Sequence, residues 1–198
     1  MNRPRILLTG ANGQVGWELQ RTLSCLGEVI ALDSQALNLA DAAAIRSKVR
    51  EIAPQIMVNS AAYTAVDKAE SEVDLTRAVN ATAPGILAEE AAKLGALLVH
   101  YSTDYVFNGS GSTPWREDNA CDPLNVYGAT KLEGERLIQA SGCRHLIFRT
   151  SWVYGARGGN FLLTMRRLMR ERPELKIVDD RWGRLPGAAI SPKQRRRC

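Results

Sequence analysis

The chain has 198 residues, 45% of them hydrophobic, and a formal net charge of +5, which is enough for one domain with a sizeable core. No apolar run approaches the ~20 residues of a membrane span, and Met1-Asn2-Arg3-Pro4-Arg5 runs straight into an apolar strand rather than a signal-peptide core; a cytoplasmic protein with no membrane partner is expected. The charge does not signal nucleic acid: six of the 26 bases but none of the 21 acids follow Asp180, so residues 1–180 stand at −1 and the basic character belongs to the tail.

Ile6-Leu7-Leu8-Thr9 predicts a buried strand ending at Gly10, and Val15, Leu19, Leu23 and Leu26 predict a helix from Gly13 to Leu26. Val29–Leu32 is the second expected strand, closed by Asp33, and Ala42–Ile52 a helix stopped by Pro54. Ile56–Val58 follows as the third strand. A helical stretch from Leu75 to Leu94 contains Pro84, which predicts a kink or a break. Ala96–Tyr101 is the fourth strand, and residues 108–124, rich in Gly, Ser, Pro, Asn and Asp, a loop. Val126–Ala140 reads as a helix, His145–Arg149 as the fifth strand, Phe161–Glu171 as a helix ended before Pro173, and Leu175–Val178 as a sixth strand. Strands alternating with helices imply an α/β fold with a doubly wound parallel sheet, and the strands are near-continuously apolar, as expected when helices cover both faces.

Tyr127-Gly-Ala-Thr-Lys131 places a phenol and an ammonium four residues apart on one helix face. A lysine charge there is expected to favour the phenolate and lower the tyrosine pKa, suiting Tyr127 to exchange a proton with a carbonyl oxygen as hydride moves. Gly10-Ala-Asn-Gly13-Gln-Val-Gly16 lies between a strand and a helix, where glycines allow a tight turn against a pyrophosphate and the helix start favours its charge. Asp33, 17 residues after Gly16, is suited to the adenosine ribose hydroxyls of NAD, or alternatively to capping its own turn. Ser102-Thr103-Asp104 ends the fourth strand, at the sheet edge where ligands of such folds sit. Asn59–Tyr63, with its small residues, follows the third strand and lets backbone pass close to a cofactor, or simply packs tightly. His100 reads as a core residue or one that supports the site from behind rather than a catalytic one, His145 as structural, Asp67 and Glu70 as a solvated helix start, and Cys25, Cys121, Cys143 and Cys198 as reduced thiols without metal spacing.

Together these stretches resemble the extended short-chain dehydrogenase/reductase superfamily. Within it they resemble the family of dTDP-4-dehydrorhamnose reductases, through Val58–Glu70, His100–Phe107, Pro123–Lys131 and Phe148–Gly155 in addition to the glycine loop. The resemblance implies a Rossmann-type NAD(P)-binding domain over residues 1–180. It implies NADPH or NADH reducing the C4 keto group of dTDP-4-dehydro-6-deoxy-L-mannose to dTDP-L-rhamnose for cell-surface polysaccharide. By the same resemblance Tyr127, Lys131 and Thr103 form the catalytic set, and Thr103, Asp104 and Trp152 contact the sugar nucleotide. Gly10, Asn12, Gly13, Gln14, Val15, Gly16, Asp33, Asn38, Leu39, Ala61, Ala62 and Tyr63, with Tyr127 and Lys131, match cofactor-lining positions. Some members bind Mg²⁺ between subunits; Glu18 matches one ligand and a homodimer is implied, the other ligands falling outside this chain.

Beyond Gly183 the resemblance fails. Residues 181–198 form a basic tail with two prolines, expected to be disordered, and most of the family's C-terminal substrate domain is expected to be absent. A shifted or truncated reading frame gives such a tail, and weak cofactor binding with poor turnover is then expected. The alternatives are a nucleotide-sugar epimerase or dehydratase of the same superfamily, which retains its NAD, a non-catalytic NADP-binding regulatory subunit, and an inactive fragment.

Overall fold

Five parallel strands carry the structure, a computed structural model that describes residues 3–110 and 113–176. They are β1 (Arg5–Thr9), β2 (Glu28–Leu32), β3 (Ile56–Asn59), β4 (Leu97–Thr103) and β5 (Arg144–Thr150), in the spatial order β2-β1-β3-β4-β5. The sheet grows outward in opposite directions from β1 and β3, so a crevice opens beyond their carboxyl ends. The helices are α1 (Gln14–Leu23), α2 (Ala42–Ile52), α3 (Val66–Ala69), α4 (Val73–Arg77), α5 (Ala83–Leu94), α6 (Val126–Ala140) and α7 (Phe161–Glu171). The α/β doubly wound reading holds.

Strand pleating divides the core. Leu7, Met57 and Leu98 face α2, α5 and α6 and pack with Ile45, Val49, Leu87 and Ile138. Ile6, Leu8 and Val58 face the other way, against Leu19 and Leu23 of α1. Each such side chain contributes about 1.5–3 kcal/mol on burial. A buried carboxylate ties two helices on the first face: Glu90 of α5 takes Arg46 at 3.0 Å and Arg50 at 2.8 Å, both from α2, and is held down to a pKa of about 2, chiefly by Arg50.

Pro84 does not end its helix. Without an N–H it cannot bond the Asn80 carbonyl, and its ring crowds that oxygen. The backbone widens instead into a single π turn over Ala78–Thr82, and α5 runs on from it to Gly95. The Asn80 carbonyl turns toward α6, where a Cβ on Gly134 would overlap it.

Two smaller expectations change. α1 stops at Leu23 because the N–H groups of Leu26 and Gly27 both return to the Leu23 carbonyl, leaving Leu26 exposed. Leu175 and Lys176 form no strand; the rest of the expected sixth strand and the whole basic tail lie outside the described residues. Among the described residues no helix is long and apolar enough to cross a membrane.

Candidate active site

The glycine loop bridges β1 and α1. Gly10 takes φ +76°, a left-handed conformation that favours glycine, and a Cβ on it would stand 2.8 Å from the backbone of Ala61. Gly16 lies so close under the turn that a Cβ there would overlap the Gly10 carbonyl. The loop and the segment after β3 are therefore in contact at Gly10, Gly16, Ser60 and Ala61. No side chain caps the first turn of α1, whose N-cap is Gly13, and an uncapped helix start is suited to an anion. Gly16→Ala should cost about 1–3 kcal/mol through overpacking, read as a lower urea midpoint. An unchanged midpoint would show that the loop has slack.

Asp33 performs the turn-capping task first. Its Oδ1 accepts the N–H groups of Gln35 (3.0 Å) and Ala36 (2.9 Å), while Oδ2 accepts Asn12 Nδ2 at 2.9 Å. These bonds, that from Ala36 foremost, hold the carboxyl below its ordinary value. Asn38 is exposed and caps Ala40 N at 3.0 Å, whereas Leu39 is buried in the main core beside Leu37 and Ile45. Tyr63 spends its hydroxyl on Glu72 at 2.6 Å, and its backbone is gripped on both sides by the Asn80 amide, at 2.9 and 3.1 Å.

Thr103, Asp104 and Tyr127 come together where β4 meets α6. The Thr103 side chain lies near enough to Tyr127 to favour its ionised form, against the effect of burial. Thr103 Oγ1 donates to Asp104 Oδ1 at 3.2 Å and accepts from Tyr105 N at 3.2 Å. The Tyr105 ring meets that of Tyr127 edge-on, centroids 5.6 Å apart. Asn125 Oδ1 and Glu70 Oε1 accept the N–H groups of Gly128 (2.7 Å) and Val126 (2.9 Å), fixing the start of α6. Glu70 is thus not merely solvated. A cleft of about 480 Å³ opens there, lined by Val66, Asp67, Glu70, Tyr105 and Asn125.

Lys131 departs from expectation. It points inward, 1% exposed, donating to the Tyr101 carbonyl at 2.7 Å and meeting His100 Nε2 at 3.2 Å. Burial pushes its pKa down to about 8, and burial likewise raises that of Tyr127, against the effect of Thr103. The phenol is therefore held in its protonated form, opposite to the lowering expected from a neighbouring lysine. His100 touches Lys131, the supporting place that its strand position allowed. The signal was available: strand alternation puts it on the core face with Leu98, where a polar ring needs partners.

The segment after β5 approaches from the other side. Trp152 adopts φ +50°, an outlier for a bulky side chain, and meets Phe161 edge-on at 5.3 Å. Gln14 links the glycine loop to this segment, donating to the Gly159 carbonyl at 3.2 Å and accepting Asn160 Nδ2 at 2.8 Å. Arg157 lies 3.6 Å over the Trp17 ring. Glu18 pairs with Arg21 at 3.1 Å, and among the described residues no group of three His, Cys, Asp or Glu is placed to hold a metal ion.

Residues 4–189 match the family described as "RmlD substrate binding domain", a match running past Gly183. The chain is 50% identical over 189 residues to the dTDP-4-dehydrorhamnose reductase of Shigella flexneri, covering 93% of this chain and 63% of that protein. It is 50% identical over 179 residues to the reductase of the same name from Burkholderia thailandensis, covering 90% and 60%. Its fold is similar to the crystal structure of dTDP-4-dehydrorhamnose reductase from Bacillus anthracis in complex with NADP, with TM-score 0.91, 39% identity, and 96% of this chain against 67% of that one. The chain thus spans about 63% of the length of such curated relatives.

Proposed function

Because the chain belongs to the family described as the RmlD substrate binding domain, we propose that it carries the nicotinamide-binding and acid–base portion of a dTDP-4-dehydrorhamnose reductase. NADPH or NADH would supply hydride to C4 of dTDP-4-dehydro-6-deoxy-L-mannose. The chain's residues do the rest. The Gly10–Gly16 turn and the uncapped start of α1 suit a pyrophosphate, and Ala61, Ala62 and Tyr63 line the side toward β3. Asp33 would take the ribose with Oδ2, exchanging its Asn12 partner. Thr103 orients the keto oxygen, with Asp104 and Trp152 beside the sugar nucleotide. Tyr127 donates its hydroxyl proton to the C4 oxygen as the C4–H bond forms, and the phenolate left behind is reprotonated from the Lys131 side.

The gathering of Thr103, Asp104, Tyr105 and Tyr127 at the carboxyl edge of the sheet supports this reading most directly. Cytoplasmic action follows from the cofactor and nucleotide-sugar pools. A homodimer and Mg²⁺ at Glu18 rest on the resemblance alone, and the Glu18–Arg21 pair lends the metal no support.

The test is NADPH oxidation dependent on the dTDP sugar, for this chain and for its residues 1–180 joined to the remaining C-terminal part of the Shigella flexneri relative. The fusion should reach the ordinary enzyme range of ~1–10³ per second, and the chain alone should bind NADPH but turn over poorly. Cofactor binding with no sugar-dependent oxidation in either protein would sink the reading.

A further inference from the structure

Lys131 has an uncommon neighbour for a buried amine. Its Nζ lies 3.2 Å from His100 Nε2 and 2.7 Å from the Tyr101 carbonyl, and His100 is fully buried. His100 ends a polar row. Thr9, Asn59 and His100 are register partners across β1, β3 and β4, one pleat beyond the apolar row of Leu7, Met57 and Leu98. Thr9 Oγ1 stands 2.6 Å from Asn59 Oδ1, and Asn59 Nδ2 stands 3.1 Å from His100 Nδ1.

These lengths give the row a direction. A separation of 2.6 Å suits O–H···O and is short for N–H···O, so the amide oxygen faces Thr9 and the amide NH₂ faces the imidazole. His100 Nδ1 must then present a lone pair. A neutral imidazole carries a single N–H, which places the proton on Nε2, toward Lys131. Burial, followed by the nearby Lys131, holds the ring far below the ordinary histidine value, which disfavours the doubly protonated form. An N–H aimed at Nζ is satisfied only by the lone pair of a neutral amine, which still donates to the Tyr101 carbonyl.

We propose that Asn59 locks His100 as its Nε2–H tautomer, and that His100 thereby acts as a positioning residue that stabilises Lys131 as the neutral amine. The functional consequence rests on the reductase reading of Tyr127 and Lys131. Opposing the lock is Glu135 on α6, which favours the ammonium from within its ion pair with Arg149 of β5. The other ionisable groups between the start of α6 and Glu135 are Tyr127, itself beside Asp104 and Tyr105, and Glu133, paired with Arg77 at 2.7 Å. Burial, opposed by Glu135, leaves Lys131 titrating at about 8, so the ammonium that reprotonates the phenolate is lost as pH rises through that value. The His100 N–H adds to burial in the same direction and lowers the alkaline limit of the reaction further.

The chain has two histidines, so two-bond ¹H–¹⁵N spectra report each ring's tautomer, with His145→Gln to assign them. His100 should show Nε2–H throughout the range around neutrality where an ordinary histidine titrates. An Nδ1–H ring or an imidazolium overturns the proposal. Independently, His100→Phe removes the donor to the amine, and the Lys131 ¹³Cε titration midpoint should rise by about one pH unit. An unchanged or lowered midpoint overturns it, since a ring that accepted from the ammonium would have raised the midpoint before its removal. If His100→Phe does not fold, the tautomer spectra of the unaltered chain decide. Absence of sugar-dependent NADPH oxidation would sink the reductase reading and leave both spectroscopic results as they stand.

Discussion

Replacing Tyr127 with Phe in the extended fusion should cut sugar-dependent NADPH oxidation about 10²–10⁴-fold while leaving NADPH affinity close to that of the parent. The phenol is partly buried, and burial raises its pKa above the ordinary tyrosine value. It is therefore protonated at neutral pH, as a proton donor to the C4 oxygen must be. Phe keeps the ring, its edge-on contact with Tyr105 and the packing of α6, so the loss reports the hydroxyl alone. Removing a group used only as charge develops lowers kcat and kcat/KM together. Thr103→Val provides the companion measurement, because Thr103 acts on the ionisation of Tyr127 and also accepts from Tyr105 N. If Tyr127→Phe kept full turnover, the proton would have to come from elsewhere and the assignment of the site would fail.

What the sequence made legible was set by period. The strands show as apolar runs because both sheet faces are covered, and the glycine loop shows because Gly10 and Gly16 leave no room for a Cβ. The Tyr127–Lys131 spacing placed the pair on one helix, yet helix spacing cannot say which way a long side chain turns. Lys131 turns inward to the Tyr101 carbonyl and His100, so burial rather than the tyrosine dominates its proton affinity. Contacts between distant segments were invisible. Glu70 supports α6 across 56 positions of sequence, and Gln14 meets Asn160 across 146. Pro84 does not break its helix because a π turn is a local repair that no residue pattern announces. His100 was readable in principle: a histidine in register with Asn59, itself paired with Thr9, is a polar row inside an apolar sheet.

Glu135→Ala should be the most destabilising single change at the site, costing about 3–5 kcal/mol because it strands a largely buried cation. Glu135 is 1% exposed. Its carboxylate accepts Arg149 Nη2 at 2.7 Å and Nε at 3.1 and 3.2 Å, and also the Ser102 hydroxyl. Arg149 has the Phe107 ring 5.0 Å from its guanidinium and is only 21% exposed in its side chain, so it recovers hydration only in part. Urea unfolding measures the loss; a decrease below about 1 kcal/mol would mean that the pair behaves like an exposed one. A paired replacement, Glu135→Leu with Arg149→Met, should recover most of the loss, since neither partner is then stranded. The same carboxylate bears on chemistry. It favours the ammonium of Lys131, so Glu135→Gln, which keeps the shape and removes the charge, should move the Lys131 midpoint below about 8. Thus Glu135 and His100 pull the amine in opposite senses from α6 and β4. Arg149 stands directly before Thr150, whose hydroxyl reaches the Ser102 carbonyl at 3.1 Å, so the pair also anchors the strand end that leads to Trp152.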